Sequence, residues 1–233
     1  MTKSFAGTDT GLHRNGNEDS FLHQPERGLY AVADGLGGLS YGEVASKMAV
    51  DRLASVDMLE FDDLPVLVNE ISHEIWEKGQ QLGKGTIGTT LTLAIVEGMY
   101  FRIAQVGDSM AFMALPDGKN LQLTREHTLA EEYRRAGRTN IDPYINHVLT
   151  QCLGQEGTVN PDVFVVDFPV GARLLLCSDG ITKTVDEEDI YSALRKGSEP
   201  KEIVESLIKK ANDNGGPDNS TVVVLFQAEN SAS

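Results

Sequence analysis

The sequence is poor in the residues that mark secreted, zinc-binding and nucleic-acid-binding proteins. Its 233 residues include only two cysteines, Cys152 and Cys177, which lie far apart and form no C-x-x-C pattern. Their spacing argues against a zinc knuckle and a redox pair, so we predict two small buried side chains. Lysine and arginine total 20 against 35 aspartates and glutamates. The formal net charge of -15 argues against nucleic-acid or anionic-membrane binding, which needs clustered positive charge.

Long hydrophobic runs are absent as well. No stretch approaches the length that spans a bilayer, and residues 1–11 lack the apolar core of a secretion signal. We therefore expect a cytoplasmic protein that is not attached to a membrane. If so acidic a chain handles phosphate, it must offset its own negative field locally, and bound divalent cations are the usual means.

The apolar residues that are present follow strand and helix periodicities in turn. Residues 29–33 form a short apolar run that ends at Asp34, which indicates a buried strand stopping at a turn. Two stretches with helical spacing follow, at 42–53 and 64–79. The next three runs are β-rich and predict an antiparallel meander, at 89–96, 99–106 and 110–115.

The second half of the chain contains a polar segment between regular elements. Thr128 and Glu131 form a capping box that opens a short helix, and residues 138–155 are irregular, so we predict a mobile flap at about 128–155. The remaining predicted elements are a strand at 173–178, a helix from about Ser198 and a strand at 221–226.

No repeat, low-complexity tract or long linker divides the chain. We therefore predict one domain over residues 1–227, followed by a polar tail at 228–233. Strands and helices that do not alternate regularly favour an α+β fold over a parallel sheet.

Aspartates stand beside four of the predicted strands. Asp34, Asp108 and Asp179 each follow an apolar run, and Asp218 precedes the last strand. If these strands belong to one sheet system, the carboxylates gather at its edge, and oxygen-only ligands suit magnesium or manganese. An Asp-Gly pair after a strand is also typical of a simple turn, so the metal site depends on a convergence that the sequence alone leaves open.

A fifth acidic cluster lies near the start of the chain. Arg14 precedes Glu18 and Asp19 by four and five residues. By itself the segment is typical of a solvated loop. In a phosphate site, Arg14 could instead hold two phosphate oxygens while the carboxylates hold a metal ion or its waters.

Together these motifs resemble the metal-dependent type-2C protein serine/threonine phosphatases, the PPM family, in its bacterial single-domain form. The resemblance covers nearly the whole chain and rests on seven blocks in the family's order. The blocks are GLHRNGNED at 11–19, VADGLGG at 32–38 with GEVAS at 42–46, GTT at 88–90, VGDS at 106–109, LTREH at 123–127, LLCSDG at 175–180 and GPDNSTV at 216–222.

The resemblance implies a four-layer αββα sandwich, in which two stacked antiparallel β-sheets are flanked by helix pairs. It implies hydrolysis of phosphoserine and phosphothreonine on proteins by a metal-activated water, without a phosphoenzyme, using two or three manganese or magnesium ions. The expected partners are phosphorylated proteins, the targets of a serine/threonine kinase in signalling. We expect a monomer, since the sequence shows neither heptads nor a leftover apolar stripe.

The resemblance also assigns metal ligands. Asp34 corresponds to the carboxylate that bridges two cations, and Gly35 contributes its backbone carbonyl. Asp179 and Asp218 complete the first cation site.

Further residues are assigned in the same way. Glu18 and Asp19 correspond to the residues that hold the second cation directly or through water. Asp108 corresponds to a ligand that, together with Asp179, forms a third site, and Arg14 to the clamp on the substrate phosphate.

The source of the proton for the leaving group departs from the family pattern. Some members carry histidine where this chain has Leu36, and bacterial members often carry one where it has Leu39. His147 in the predicted flap is our substitute candidate for contacting substrate or donating a proton, because imidazole titrates near neutrality. The alternative is that His147 only packs within the flap.

Two other functions stay open at this stage. The chain could be a pseudophosphatase that binds phosphoprotein or metal without turnover, although every core aspartate and Arg14 are retained. It could also apply the same chemistry to small phosphate esters. An open cleft with a flap would favour phosphopeptides, and a closed pocket would favour metabolites.

Overall fold

The computed structural model describes residues 2–36, 41–56, 63–83 and 85–228. The positions Gly37, Gly38 and Leu39 of the sequence motifs lie outside the described residues, as do residues 229–233 of the tail. The strands are β1 (Thr2–Asp9), β2 (Asp19–Gln24), β3 (Leu29–Asp34), β4 (Leu91–Glu97), β5 (Tyr100–Val106), β6 (Met110–Ala114), β7 (Asn120–Gln122), β8 (Asp162–Asp167), β9 (Arg173–Cys177) and β10 (Ser220–Gln227).

The helices in the same ranges are α1 (Gly42–Ser55), α2 (Leu64–Gln81), α3 (Leu129–Arg135), α4 (Asp179–Thr182), α5 (Glu187–Lys196) and α6 (Pro200–Asp213). Single 3-10 turns occur at Pro25–Arg27 and Pro143–Ile145. No helix in the described ranges has both the length and the apolar character that crossing a membrane requires.

The strands form two antiparallel sheets of five. One sheet has the order β1-β10-β9-β6-β7 and the other β2-β3-β4-β5-β8. Helices α1 and α2 pack on the second sheet, and α5 and α6 pack on the first. A third apolar cluster fills the space between the sheets. This architecture confirms the predicted four-layer αββα sandwich.

Burial on both faces explains the continuous apolar runs of the inner strands. Along β9, Leu174 and Leu176 point into the cluster between the sheets, while Leu175 and Cys177 point toward α5 and α6. Because side chains alternate between the faces of a strand, a strand covered on both sides must be apolar at every position.

The predicted helices and the hairpin are confirmed, but the meander is wrong. Strands β4 and β5 pair as predicted, whereas β6 leaves their sheet and pairs with β9 and β7 in the other one. The change of sheet occurs at the turn after β5, where Gly107 has φ of +97°. The N-cap half of the predicted capping box is present, since the Glu131 N–H donates to Thr128 Oγ1 over 3.2 Å, whereas the Glu131 carboxylate lies 3.3 Å from Arg134.

Candidate active site

Four aspartates from separate parts of the chain line one cavity of about 480 Å³. Asp34 ends β3 and Asp108 follows β5, whereas Asp179 begins α4 two residues after the end of β9 and Asp218 precedes β10. The convergence that the sequence left open is therefore present. The other lining residues are Arg14, Gly35, Leu36, His147, Leu149, Cys152 and Lys183.

The cavity lining contains apolar side chains as well as the four aspartates. Leu36, Leu149 and Cys152 form the apolar part. Cys152 is only partly buried, so it is a cavity residue and not the core side chain that we predicted, whereas Cys177 is fully buried as expected. The segment 128–155 supplies part of this wall, which brings the predicted flap to the site.

Backbone contacts fix the position of Asp34 at the end of β3. Its N–H donates to Thr90 Oγ1 over 3.0 Å, and its carbonyl accepts from the Thr90 N–H over 2.9 Å. The Gly35 N–H donates to the Glu18 carbonyl over 3.1 Å. A Cβ at Gly35 would lie 2.4 Å from the backbone of Gly42, so this close approach requires glycine.

Asp19 lies behind the cavity, opposite Asp34 in the register of β2 and β3. Its Oδ2 accepts hydrogen bonds from Ser178 Oγ over 2.7 Å and from Thr221 Oγ1 over 2.6 Å. Its Oδ1 is buried and has no hydrogen-bond partner among the described residues. Asp19 is thus brought to the site but does not line the cavity.

Arg14 and Glu18 differ in the cavities that they line. The Arg14 guanidinium reaches Asp218 Oδ1 over 2.8 Å and lies 3.9 Å from Glu18 Oε2. Arg14 lines both cavities, whereas Glu18 lines only a second one of about 330 Å³, together with Glu43. The structure therefore separates Glu18 from the main carboxylate group.

Asn219 holds the Arg14 segment against the start of β10, a role that our sequence analysis missed. Its Nδ2 donates to the carbonyls of Thr10 over 2.8 Å and Gly16 over 3.0 Å, while its Oδ1 accepts from the Glu18 N–H over 2.8 Å. The available signal was a carboxamide directly after Asp218, at a position that proves to be buried.

Lys183 is the second residue that sequence analysis missed. Its ammonium group forms an ion pair with Asp179 and lies 3.4 Å from Asp218 Oδ2. The signal was its position four residues after Asp179, which places both side chains on one face of a helical turn.

The carboxylates of the site repel one another in a buried environment. Burial, followed by the charges of Asp19 and Asp179, raises the pKa of Asp34 well above its usual range. Burial also raises the pKa of Asp19 to about 6, against the hydrogen bonds that lower it. Burial and the neighbouring Asp179 raise the pKa of Asp108 to about 7. Divalent cations would relieve this crowding.

The donor set fits such cations. Asp179 Oδ1, like Asp19 Oδ1, is buried and has no hydrogen-bond partner in the described ranges, which is uncommon for a carboxylate oxygen. Oxygen-only donors match magnesium or manganese. Even so, no three acidic, histidine or cysteine side chains within those ranges are already arranged to hold a metal ion. Two of the aspartates pair with positive side chains instead: Asp179 with Lys183, and Asp218 with Arg14.

Two histidines lie in or beside the segment 128–155. His147 is exposed and lines the main cavity. His127 Nδ1 accepts from the Gly107 N–H over 3.2 Å and lies 2.8 Å from Gln151 Nε2. His127 therefore joins the segment to the loop that carries Asp108, in agreement with a structural role.

Comparisons with known proteins agree on one family. The sequence model described as Protein phosphatase 2C matches residues 12–212. The Serine/threonine phosphatase stp of Listeria innocua is 35% identical, over 94% of this chain and 93% of its own. The Protein phosphatase PhpP of Streptococcus pneumoniae is 32% identical, over 97% of both chains. The catalytic domain of serine threonine protein phosphatase PstP, solved with 2 manganese ions, has a TM-score of 0.87 and 33% identity over 98% of this chain and 99% of that one.

Proposed function

The chain belongs to the protein phosphatase 2C family and is a metal-dependent protein serine/threonine phosphatase of the bacterial type, and on this premise we propose how its residues carry out the reaction. The observation that carries the proposal is the convergence of Asp34, Asp108, Asp179 and Asp218 on one cavity from four parts of the chain.

We assign metal ligation to the acidic residues that line the cavity. Asp34, Asp179 and Asp218 hold the cations with the Gly35 carbonyl, and Asp108 shares a further site with Asp179. The unpartnered Oδ1 of Asp179 supports this assignment.

Glu18 and Asp19 have a more distant role in the proposal. Asp19 is buried behind Asp34 and already accepts two hydrogen bonds, so it acts on the cations through its charge or its free Oδ1. Glu18 faces the neighbouring cavity and acts through water.

We propose two cations, with a third at Asp108, and manganese or magnesium as the metal. PstP was solved with two manganese ions, which supports this number. Divalent cations in such a site lower the pKa of a water and neutralise charge on the phosphoryl group. The protein contributes a fixed set of carboxylates and a cavity that partly excludes solvent.

Arg14 and His147 act on the substrate in this proposal. Arg14 lines the cavity and presents guanidinium donors that match two phosphate oxygens. His147 lies on the segment 128–155, is exposed and lines the same cavity, where an imidazole can donate a proton to the departing serine or threonine oxygen. Leu36 supports this choice, because it provides no proton at its own position.

The biological setting belongs to the same proposal. We infer that residues 1–227 form one catalytic domain acting as a monomer in the cytoplasm. Its substrates are phosphoproteins made by a serine/threonine kinase in signalling. The names of the relatives as serine/threonine phosphatases support this substrate class.

Phosphate release from a phosphothreonine peptide tests the reaction. We expect release with manganese or magnesium, none with chelator, and little from a matched phosphotyrosine peptide. Release that persists in chelator would contradict metal dependence, and equal release from phosphotyrosine would contradict the substrate class. An Asp34→Asn variant serves as the control for contaminating phosphatase.

A further inference from the structure

Lys183 places a positive charge inside the candidate metal site. The side chain begins on the residue after α4 and runs back along the helical turn to Asp179. It also lies 3.4 Å from Asp218 Oδ2 and lines the cavity that contains Asp34 and Asp108. Its side chain is only 29% exposed, so it differs from the freely solvated lysines of the surface.

The two carboxylates that Lys183 contacts are those assigned above to a cation. Asp179 and Asp218 present the same negative charge to an ammonium group and to a divalent ion. A carboxylate oxygen paired closely with Nζ cannot at once face a metal ion, because the ammonium and the ion repel each other across a short distance. Lys183 and the metal therefore compete for Asp179 and Asp218.

Charge balance explains why such a lysine is useful. The carboxylates of this site crowd together behind or along one cavity wall, and burial makes their mutual repulsion costly. Arg14 lies at one oxygen of Asp218, and Lys183 lies at the other oxygen and at Asp179. These are the two lysine or arginine side chains among the described lining residues.

We propose that Lys183 is a tethered cation that takes the place of a metal ion between Asp179 and Asp218 in the metal-free enzyme. It stabilises the fold without metal, and it leaves the two carboxylates when a divalent ion binds. Lys183 thereby weakens metal affinity and makes occupancy depend on metal concentration. The inference rests on the proposed ligands Asp179 and Asp218.

Calorimetric titration of manganese into chelator-stripped protein tests the competition. We expect Lys183→Gln to lower the dissociation constant of one class of site about tenfold, as a competing ion pair of roughly 1.4 kcal/mol would require. Lys183→Arg keeps the charge and should stay near wild type. Lys47→Gln is the matched control, because Lys47 pairs with Asp51 at the same i,i+4 spacing on α1, away from the cavity.

Thermal unfolding of the same proteins gives a second readout that needs no substrate. Without metal, Lys183→Gln should melt below wild type, because the carboxylates lose their counter-charge. At saturating manganese the difference should disappear, because the lysine no longer contacts them. Metal therefore stabilises Lys183→Gln more than it stabilises wild type.

The outcomes separate the competition from the metal site itself. If wild type binds manganese and Lys183→Gln binds it equally or more weakly, Lys183 does not compete, and the proposed ligands stand. A matching gain in Lys47→Gln would assign the effect to net charge and overturn the proposal as well. If wild type binds no divalent ion, both the metal site and the competition are wrong.

Discussion

At the scale of single residues, Asp34 shows the conflict between stability and function most directly. Its carboxylate is within electrostatic reach of Asp19, Asp179, Asp108 and Asp218, and the protein around it shields it partly from water. A side chain that favours folding would not be charged here. The cation that we propose here would need several carboxylates at once, which accounts for a charged side chain at this position.

Replacing Asp34 by asparagine should therefore separate the two properties. We expect turnover to fall by at least about 100-fold, because a shared ligand is lost. We also expect the metal-free protein to become more stable by about 1 kcal/mol, or roughly 2–4 °C in melting temperature for a chain of this size. Phosphate release and calorimetry in chelator measure the two effects. Normal turnover would remove Asp34 from the ligand set, and a lower melting temperature would contradict the crowding.

Arg14 should contribute to substrate binding more than to the chemical step. We expect Arg14→Ala to raise KM about tenfold or more, as the loss of a charge-assisted hydrogen bond implies, with a smaller change in kcat. Arg14→Lys keeps the charge but lacks the planar guanidinium, so its KM should lie between those of wild type and Arg14→Ala. Steady-state kinetics on a phosphothreonine peptide measures both constants. A loss confined to kcat would speak against the clamp.

At the scale of elements, α4 packs against the segment that carries Asp218. A Cβ at Gly180 would lie 1.9 Å from the carbonyl oxygen of Asn219, so the start of α4 and the start of β10 touch through backbone atoms. This contact sets the spacing between Asp179 and Asp218, because each lies next to one of the two touching residues.

Gly180→Ala should push these two elements apart. We expect the free energy of unfolding to fall by about 1–3 kcal/mol, the usual cost of overpacking a rigid contact. The slope of that free energy against urea concentration should not change. Gly16→Ala is the control, because a Cβ there meets nothing within 4 Å. Urea denaturation in chelator measures both. Equal stabilities of the two variants would show that α4 shifts without cost.

The elements also show how far sequence reasoning reaches. Helices α1 and α2 and strands β3 and β9 were predicted, because a long apolar period or run reports burial directly. Strand β8 was missed, because it lies at the edge of its sheet and begins and ends with Asp162 and Asp167. Helix α5 was missed because only three of its residues are buried. The sheet to which β6 belongs depends on long-range pairing, which local patterns do not contain.

The candidate site was predictable in composition but not in arrangement. The motifs identified the aspartates that line the cavity and Arg14. They did not show that Asp19 lies behind the cavity, or that Glu18 faces the neighbouring one. Asn219 was missed because its role arises from contacts with residues far along the chain. For Lys183, the local spacing from Asp179 was a usable signal, but the contact with Asp218 was not visible in the sequence.

At the scale of the whole molecule, the buried carboxylates make stability depend on pH. The raised pKa values of Asp19 (about 6) and Asp108 (about 7) mean that the folded protein holds protons which the unfolded chain releases near pH 4. Where the folded state binds more protons, stability falls as pH rises. The contribution of Asp108 to the stability of the fold is thus fully present below pH 4 and is lost as pH rises to about 7.

Melting temperatures measured in chelator between pH 4 and pH 8 test whether stability falls as pH rises. We expect Asp108→Asn to gain stability relative to wild type as pH rises from about 4 to about 7 and to keep that gain above it, because only wild type has this carboxyl to deprotonate. The two proteins should be most alike near pH 4. A difference that is independent of pH, or that grows toward acid, would contradict the raised pKa of Asp108.

The pairing of β1 with β10 joins the two ends of the described chain. Strand β10 lies between β1 and β9, with Thr2 opposite Gln227, and Asp218 lies two residues before its start. Topologies dominated by such distant pairings fold slowly. Asp218 can join the other carboxylates of the cavity only when β10 pairs between β1 and β9. We therefore expect the complete cation site to form late in refolding. The repulsion between the carboxylates should then change the rate of unfolding more than the rate of early collapse.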